Sequence, residues 1–263
     1  MPEIGIIGGS GVYRMPSVEL IREEAVETPY GLPSDTYKIL RISGIEAVFL
    51  ARHGSGHTIP PHKINYRANI WGFKALGVKR LLSMGAVGGM NPLLRPGSIV
   101  VADQIIDMTT GRTSTFYDKD EVCHVDFSEP FCPELRTAFI EAAGAVGLPV
   151  LTRGTYACTN GPRFETRAEI RYYSIVGADV VGMTAMPEAA LAREAEICYG
   201  TIATVTNYAA GIIRDKLTTT EVIETINKSS INLNALLLRA ISLIKTQRLC
   251  PCKDALKDAK MMT

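Results

Sequence analysis

The chain has 263 residues, 46% of them hydrophobic, which is enough to bury the core of a large α/β domain and argues against disorder. Lysine and arginine total 28 against 27 aspartates and glutamates, so a net charge of +1 provides no overall field to attract nucleic acid or an anionic membrane. The start lacks a secretory signal pattern and no later stretch approaches ~18 uninterrupted apolar residues, so we expect a soluble cytoplasmic protein.

Short β-branched runs alternate with longer helical patterns along the chain. In chain order, strands are predicted over 3–8, 36–42, 46–51, 79–84, 97–106, 152–160, 179–183 and 201–206. Helices are predicted over 63–77, 133–147, 163–177, 187–200 and 218–245. No linker or repeat divides the pattern, so the sequence predicts one three-layer αβα domain over residues 1–263.

The glycine-rich stretch 8–11 follows the first predicted strand. It does not complete the dinucleotide fingerprint, because Arg14 stands where the third glycine is needed, and it lacks the lysine of a Walker A loop. Two interpretations stay open: a loop that offers its amides and the Ser10 hydroxyl to an anion, or an ordinary tight turn.

Three of the four histidines, His53, His57 and His62, lie in the stretch ARHGSGHTIPPHK. No carboxylate or thiolate accompanies them and Pro60-Pro61 breaks any helix, so we predict no metal site. Arg52 is always charged and its planar fork matches phosphate oxygens, while His53 adds a donor at the same loop. The stretch therefore favours anion capture.

The six cysteines lack the paired CxxC spacing of a zinc site, and we interpret them as cytosolic thiols. Cys250 and Cys252 form C-x-C, which fits neither a zinc knuckle nor a CxxC redox motif. An adjacent disulfide or a cross-link of the thermophile type stays open for this pair.

Two polar residues have both a structural and a functional interpretation. Glu165, next to Phe164, is either a favourable charge at a helix start or an acceptor for a ring N–H. Asn207 is either a turn residue or an amide that offers a donor and an acceptor to a heteroaromatic ring.

The stretches IGIIGGSG, ARHGSGHTIPPHKINYRANIW, NGPRFETRAE, GMTAMPEAALAREAEICY and TVTNYAAG together resemble the purine nucleoside phosphorylase family that includes methylthioadenosine phosphorylase. The resemblance spans Ile4 to about Cys252. It implies a single αβα domain with a mixed central sheet and assembly as a homotrimer or homohexamer. It further implies inorganic phosphate as co-substrate, with no cofactor and no metal.

The resemblance implies a phosphate cradle made of Ser10, Arg52, His53, Gly85, Ala86 and Thr184. Gly85 departs from the family pattern, since relatives often have Thr or Asn there, and this chain offers only backbone at that point. Met183 is expected under the ribose and Phe164 at a wall of the base pocket. Asn207, His53 and Arg52 are the expected catalytic residues.

The resemblance also bears on the choice of purine. Adenine-cleaving relatives carry Asp at the position of Asn207, typically a second Asp at Ala209, and Ser at Glu165. The set in this chain resembles the 6-oxopurine phosphorylases, and the resemblance implies that Asn207, Tyr208 and Ala209 contact the substrate. Hypoxanthine and guanine present an N1–H that a carboxylate accepts, whereas adenine presents a bare acceptor to Glu165.

The 5′ end of the ribose is expected at Thr219, Val222 and Ile223, together with His124 of a neighbouring subunit. His57 either points to this end or is structural, and a structural role is equally open for His62. We therefore predict phosphorolysis of 5′-methylthioinosine, inosine or guanosine in purine salvage, with methylthioinosine favoured by the apolar pair. The rival hypotheses are a methylthioadenosine phosphorylase, a nucleoside hydrolase and a non-catalytic nucleotide-binding domain.

Overall fold

Within residues 1–9, 18–213 and 218–261, which the computed structural model describes, eleven strands form one sheet. The strands are β1 (Ile4–Gly8), β2 (Val18–Glu24), β3 (Tyr37–Ile42), β4 (Ile45–Ala51), β5 (Arg80–Gly89), β6 (Ile99–Val101), β7 (Gln104–Asp107), β8 (Val150–Leu151), β9 (Thr155–Cys158), β10 (Val180–Gly182) and β11 (Cys198–Tyr208). The helices are α1 (Tyr66–Ala75), α2 (Pro133–Ala145), α3 (Arg167–Ile175), α4 (Ala185–Glu194) and α5 (Thr219–Leu243). Single turns of 3-10 helix lie at Pro61–Lys63 and Pro251–Asp254.

The long strand β5 organises this sheet. Its first half pairs in parallel with β1, which pairs in parallel with β4, and its whole length runs parallel to β11. Its last residues pair antiparallel with β10. The sheet is therefore mixed, as expected, and the carboxyl ends of β1, β4 and β11 face the same edge.

Helices cover both faces of the sheet. Buried side chains of α1 and α4 belong to one apolar cluster with Ile7, Leu50 and Val205. Buried side chains of α2 and α5 belong to a second cluster with Ile6 and Phe49, which alternate along the same strands with members of the first. This arrangement confirms the predicted three-layer αβα sandwich.

Some predicted boundaries were wrong. The strand expected to end at residue 84 continues to Gly89, because β11 pairs along it without interruption as far as Val205. The helix expected over 187–200 stops at Glu194, since residues 198–200 enter the buried strand β11. The sequence analysis also missed β2, an edge strand with half-exposed side chains. No helix in the described ranges is both long and apolar enough to span a bilayer.

Candidate active site

A cavity of about 570 Å³ opens where the central strands end. Its lining includes Gly9 after β1, Arg52 and His53 after β4, residues 85–88 of β5, residues 181–184 from β10 onward, and Thr204, Thr206 and Asn207 of β11. The residues predicted to hold phosphate and purine thus meet in one space. Ser10, predicted as a phosphate ligand, lies outside the described residues.

Arg52 is fully buried at the floor of the cavity and is paired with Glu188 of α4. Its Nε donates to Glu188 Oε1 at 2.5 Å and its Nη2 to Oε2 at 3.0 Å. Nη2 also donates to Ser83 Oγ at 2.7 Å, and Nη1 to the Met84 carbonyl at 2.9 Å. Burial alone lowers the pKa of Arg52, but the charge of Glu188 outweighs it and raises that pKa.

This pairing corrects one expectation. We expected the guanidinium of Arg52 to make a bidentate hydrogen bond to phosphate. Its Nε and Nη2 instead bind the Glu188 carboxylate in this way, because a buried cation needs a paired anion. Five N–H groups belong to a guanidinium, and the bonds named above use four of them. One N–H of Nη1 is left for a ligand in the cavity.

The ring of His53 also differs from expectation. Its Nδ1 lies 2.9 Å from the carbonyl of Ile59, and its face stacks on His57 with centroids 4.2 Å apart. Burial, together with the neighbouring charge of Arg52, lowers the pKa of His53 to about 4, so the ring is neutral at neutral pH. A carbonyl only accepts, so Nδ1 carries the proton and Nε2 is an acceptor, not the donor that we expected.

Gly85, Ala86 and Thr184 come together across two elements. Among the described residues other than its chain neighbours, the nearest atom to a Cβ added at Gly85 would be Thr184 Oγ1 at 4.0 Å, so these residues leave room beside that hydroxyl. Thr184 directly precedes α4, but Met186 has a non-helical backbone, with φ of −112° and ψ of 135°, so the regular turns of this helix begin only after it. In this part of the predicted phosphate cradle, the polar groups are therefore those of the backbone and the hydroxyl of Thr184.

Glu165 lines the cavity from the loop between β9 and α3. Its Oε1 accepts a hydrogen bond of 2.8 Å from Thr159 Oγ1. Burial raises the pKa of this carboxyl above its ordinary value, although the bonds from its own backbone and from Thr159 act in the other direction. Phe164, which is 37% exposed, lines the cavity beside it.

Asn207 is buried in β11 and its amide is oriented by two neighbours. Oδ1 accepts from Thr206 Oγ1 at 2.9 Å, and Nδ2 donates to the Tyr208 carbonyl at 2.9 Å. Because an amide nitrogen carries two N–H groups, one remains for a ligand. Tyr208 and Ala209, predicted as substrate contacts, are absent from the lining formed by the described residues: Tyr208 offers its carbonyl to Asn207, and Ala209 is buried against Gly88.

The first part of α5 closes the far end of the cavity. Thr219 and Val222 line it as predicted, but Ile223 is 55% exposed and points away. Helical periodicity explains the error: residues three or four apart share a face, so the stripe that begins at 219 and 222 continues at Ile226 and Ser230. The sequence analysis missed these two residues, although the same periodicity would have found them.

The remaining predicted histidines differ in position. His57 lines the cavity in a left-handed conformation, with φ of 58°, and joins Thr58 and Ile59 in one wall. His62 lies in the 3-10 turn Pro61–Lys63 and is not among the described residues that line the cavity. His124 lies elsewhere too, with its backbone N–H donating to the Ala259 carbonyl at 2.8 Å.

The sequence analysis also missed Arg112, which holds the ends of β9 and β10 together. Its Nη1 donates to the carbonyls of Met183 and Met186 at 2.8 and 2.6 Å, and its Nη2 to the Asn160 carbonyl at 2.9 Å. Thr159 and Met183, which follow these strands, are thereby fixed relative to each other. Nothing in the motif pattern marks this arginine, because its partners, these backbone carbonyls and the Tyr66 hydroxyl, are brought together only by the fold.

No residue that lines the cavity belongs to a candidate metal cluster in the described part of the chain. The four thiols of Cys132, Cys198, Cys250 and Cys252 have sulfur atoms that all lie within 4.8 Å of one another. None of them lines the cavity. The polar side chains that line the cavity include those of Arg52, Thr184, Glu165 and Asn207.

Residues 3–242 match the model of the phosphorylase superfamily. The chain is 58% identical to a 6-oxopurine nucleoside phosphorylase of Pyrococcus furiosus, over 98% of this chain and 99% of that protein. It is 50% identical to a probable S-methyl-5′-thioinosine phosphorylase of Thermodesulfovibrio yellowstonii, over 98% and 97%. The crystal structure of a methylthioadenosine phosphorylase from an Antarctic soil metagenomic library superposes with a TM-score of 0.93 at 39% identity, covering 99% of this chain and 92% of that one. The motif resemblance is thus confirmed, and the chain belongs to the phosphorylase superfamily.

Proposed function

We propose that this protein cleaves 6-oxopurine nucleosides with inorganic phosphate, releasing the free purine and a ribose 1-phosphate. The observation that carries the proposal is the presence of Glu165 and Asn207 in the same cavity as Arg52 and Thr184. One side of the cavity suits a purine edge and the other suits an anion. The names of the relatives from Pyrococcus furiosus and Thermodesulfovibrio yellowstonii support the same reaction.

Phosphate binds, in this proposal, among the Gly9–Ser10 loop, Arg52, Gly85–Ala86 and Thr184. The spare Nη1 N–H of Arg52, backbone amides and the Thr184 hydroxyl act as donors. His53 has a different task from the one we expected: its neutral Nε2 accepts the remaining proton of hydrogenphosphate. The site thereby favours HPO₄²⁻, which carries both a proton to donate and a dianionic charge.

Base recognition depends on Glu165 and Asn207. The Glu165 carboxylate, held by Thr159, accepts the N1–H of hypoxanthine or guanine. The free N–H of Asn207 donates to N7 or O6. An adenine ring presents an acceptor at N1 and leaves the carboxylate without a donor, a mismatch that costs ~1–3 kcal/mol.

The reaction proceeds by displacement at C1′. The C1′–N9 bond breaks first and its electron pair leaves with the purine, so the sugar becomes oxocarbenium-like and the phosphate dianion beneath it stabilises the positive charge. Asn207 stabilises the negative charge that spreads over N7 and O6. A phosphate oxygen of HPO₄²⁻ then forms the new bond to C1′ from the opposite face, with inversion. The phosphate loses its proton on becoming the ester dianion, and the purine anion takes up one proton to become the free base, so no covalent enzyme intermediate or cofactor is needed.

The 5′ end of the ribose meets the α5 stripe. Val222 and Ile226 are apolar and suit a methylthio group, whereas Thr219 and Ser230 offer hydroxyls to a 5′-hydroxyl. We propose that 5′-methylthioinosine, inosine and guanosine are all substrates and that the methylthio compound is preferred. Purine salvage is the corresponding physiological task.

The proposed enzyme works as a cytoplasmic homotrimer or homohexamer. Tyr172, Ile175 and Val176 at the end of α3 are 54%, 82% and 41% exposed, an apolar patch that a second copy would cover. In such an assembly His124 of a neighbouring subunit completes the 5′ pocket. Light scattering on the purified chain tests this, and a monomer would contradict it.

Purine release from inosine, 5′-methylthioinosine and 5′-methylthioadenosine, each with and without phosphate, tests the function. We expect phosphate-dependent release from the two inosine compounds. Release chiefly from methylthioadenosine would favour the rival adenine specificity of the metagenomic neighbour and overturn the base recognition by Glu165 and Asn207. Release without phosphate would mean a hydrolase, and binding of NAD without turnover would mean a nucleotide-binding domain.

A further inference from the structure

Arg112 lies between two segments that carry different parts of the cavity wall. The first is the β9 loop, residues 159–165, which carries Glu165. The second is the β10 segment, residues 183–186, which carries Thr184 and runs into the first turn of α4. Arg112 itself is absent from the lining that the described residues form, so any effect it has on bound molecules passes through these two segments.

The two terminal nitrogens of Arg112 bind different segments. Nη1 donates to the carbonyls of Met183 and Met186 in the β10 segment, at 2.8 and 2.6 Å. Nη2 donates to the carbonyls of Thr159 and Asn160 in the β9 loop, at 3.3 and 2.9 Å. A guanidinium group is planar and rigid, so these two nitrogens keep a constant separation. The side chain therefore holds the β9 loop and the β10 segment at a constant distance from each other.

The backbone of the β10 segment needs an external donor of this kind. In a regular α-helix, the carbonyl of Met183 would accept from the N–H of residue 187, but Pro187 has no N–H. Met186 also departs from helical geometry, with φ of −112° and ψ of 135°. Arg112 supplies the missing hydrogen bond, and the Tyr66 hydroxyl makes a longer one to the same carbonyl at 3.4 Å.

On the other side, the bonds of Arg112 lead directly to Glu165. The Thr159 carbonyl accepts from Arg112, while the hydroxyl of the same residue donates to Glu165 Oε1 at 2.8 Å. Gly161 has a φ of 59°, and a Cβ added there would overlap the sulfur of Met183. Since the two segments also touch each other at this point, a displacement of one of them shifts the other.

The surroundings of Arg112 contain little that would retain a cation for stability alone. In the ranges that the structure describes, no carboxylate lies within ion-pair distance of it. Its buried Nε has no hydrogen-bond partner among the same residues, and its guanidinium lies 5.1 Å from the centre of the Tyr66 ring. Burial of a cation without a paired anion is costly, which favours a role in the site over a role in the core.

We propose that Arg112 is a positioning residue that sets the distance between the bound phosphate and the bound purine. This role rests on the proposed function, in which Thr184 binds the phosphate and Glu165 binds the purine. Displacement at C1′ requires both groups to be aligned on the ribose, and a misplacement of ~1 Å costs about 10²-fold in rate. Arg112 touches neither substrate and acts through the backbone of the β9 loop and the β10 segment.

Kinetics and binding together test this role. Arg112→Ala should lower kcat for inosine phosphorolysis by about 10- to 100-fold, because the two halves of the site are no longer aligned. The Kd values of hypoxanthine alone and of phosphate alone, measured by titration calorimetry, should change much less, since each segment keeps its own ligand groups. Arg112→Lys retains the charge but has a single nitrogen, which cannot bind both segments, so it should lose kcat to a similar extent while Tm stays close to that of the natural chain.

Arg136→Ala provides the matched control. Arg136 is also half-buried and also binds backbone carbonyls, those of Ala102 and Thr152 at 3.1 and 2.8 Å, but it does not line the cavity within the described ranges. This variant should keep the natural kcat. A natural kcat in either variant of Arg112, or a loss of hypoxanthine and phosphate binding as large as the loss of kcat, would overturn the proposal. If Arg112→Ala does not fold, the lysine variant decides by the same criteria.

Hydrogen exchange distinguishes a failure of this role from a failure of the proposed function. A natural chain that releases no hypoxanthine from inosine and phosphate would contradict the proposed function, but the bridge made by Arg112 would still be measurable. In Arg112→Ala, the amides of the β9 loop and the β10 segment should exchange faster than in the natural chain, whereas those of β1 and β4 should keep their rates. Unchanged exchange in both segments would overturn the role of Arg112 whatever the activity of the natural chain.

Discussion

The two ends of the cavity that we assign to phosphate and to the purine base, called the phosphate end and the base end below, are stabilised in different ways. At the phosphate end, a fully buried arginine is fixed by two bonds to Glu188 and by further bonds to Ser83 and Met84. At the base end, the half-buried Glu165 is held by one hydroxyl, that of Thr159, in a loop. The phosphate end therefore depends on the integrity of the core. The base end depends on side chains, such as that of Glu165, whose protonation or replacement should not disturb the fold.

Removal of the buried Glu188 carboxylate should have the largest effect of the substitutions considered. Glu188→Ala leaves Arg52 as an uncompensated buried charge, and we expect the free energy of unfolding to fall by ~3–5 kcal/mol. Chemical denaturation measures this. The matched control is Glu224→Ala, because Glu224 forms an exposed pair with Lys228 at 3.9 Å and should change stability by less than ~0.5 kcal/mol. Equal losses of stability in the two variants would show that the phosphate end is not anchored by the pair of Arg52 and Glu188.

Asn207→Ala should act on catalysis and leave the fold largely intact. The side chain of Asn207 donates to the departing purine, and removal of one such donor lowers kcat by about 10²–10³. The KM for inosine should change less, since the bond strengthens in the transition state. Steady-state kinetics with inosine and phosphate provide the measurement, with Asn227→Ala on the exposed face of α5 as control. An unchanged kcat would remove Asn207 from the mechanism.

The double variant Asn207→Asp, Glu165→Ser should move preference from inosine toward adenine nucleosides. It replaces both groups that we assign to the 6-oxopurine edge by those of the adenine-cleaving relatives. The ratio of kcat/KM for inosine to that for methylthioadenosine should fall by tenfold or more, as expected for a buried polar mismatch of ~1–3 kcal/mol. Persistent preference for inosine would show that other residues decide the base.

The pH dependence of the base end should reveal the protonation of Glu165. Its pKa is raised above the ordinary 4.5, chiefly by burial. As pH falls through this raised pKa, the carboxylate becomes a carboxylic acid that no longer accepts N1–H but can donate to the bare N1 of adenine. The ratio of inosine to methylthioadenosine cleavage should therefore fall with falling pH, while the titration of phosphate and of His53 cancels in the ratio. Glu165→Gln should flatten the profile, and a profile that stays sloped in that variant would point to another group.

The sequence was sufficient to predict the sandwich and the meeting of Arg52, Thr184, Glu165 and Asn207, because strand ends with polar residues converge at one edge of a sheet. The sequence could not predict that the guanidinium of Arg52 binds the Glu188 carboxylate. The two residues are 136 positions apart, and their pairing depends on how α4 packs on the strands. The tautomer of His53 likewise depends on a carbonyl that only the folded loop places beside Nδ1.

The smallest effect is expected at Gly85, where the phosphate end has room for an additional group. Within the part of the chain that the structure describes, and apart from its chain neighbours, the nearest atom to an added Cβ is Thr184 Oγ1 at 4.0 Å, so Gly85→Thr should fit without displacing these residues. The new hydroxyl would add one hydrogen bond to phosphate, worth ~0.5–1.5 kcal/mol, and the KM for phosphate should fall about threefold to tenfold. Gly85→Val has nearly the same shape without the hydroxyl and should not lower it. If both variants weaken phosphate binding equally, the open space beside Gly85 belongs to the ligand itself, and the glycine is required for close approach of the anion to the backbone of β5.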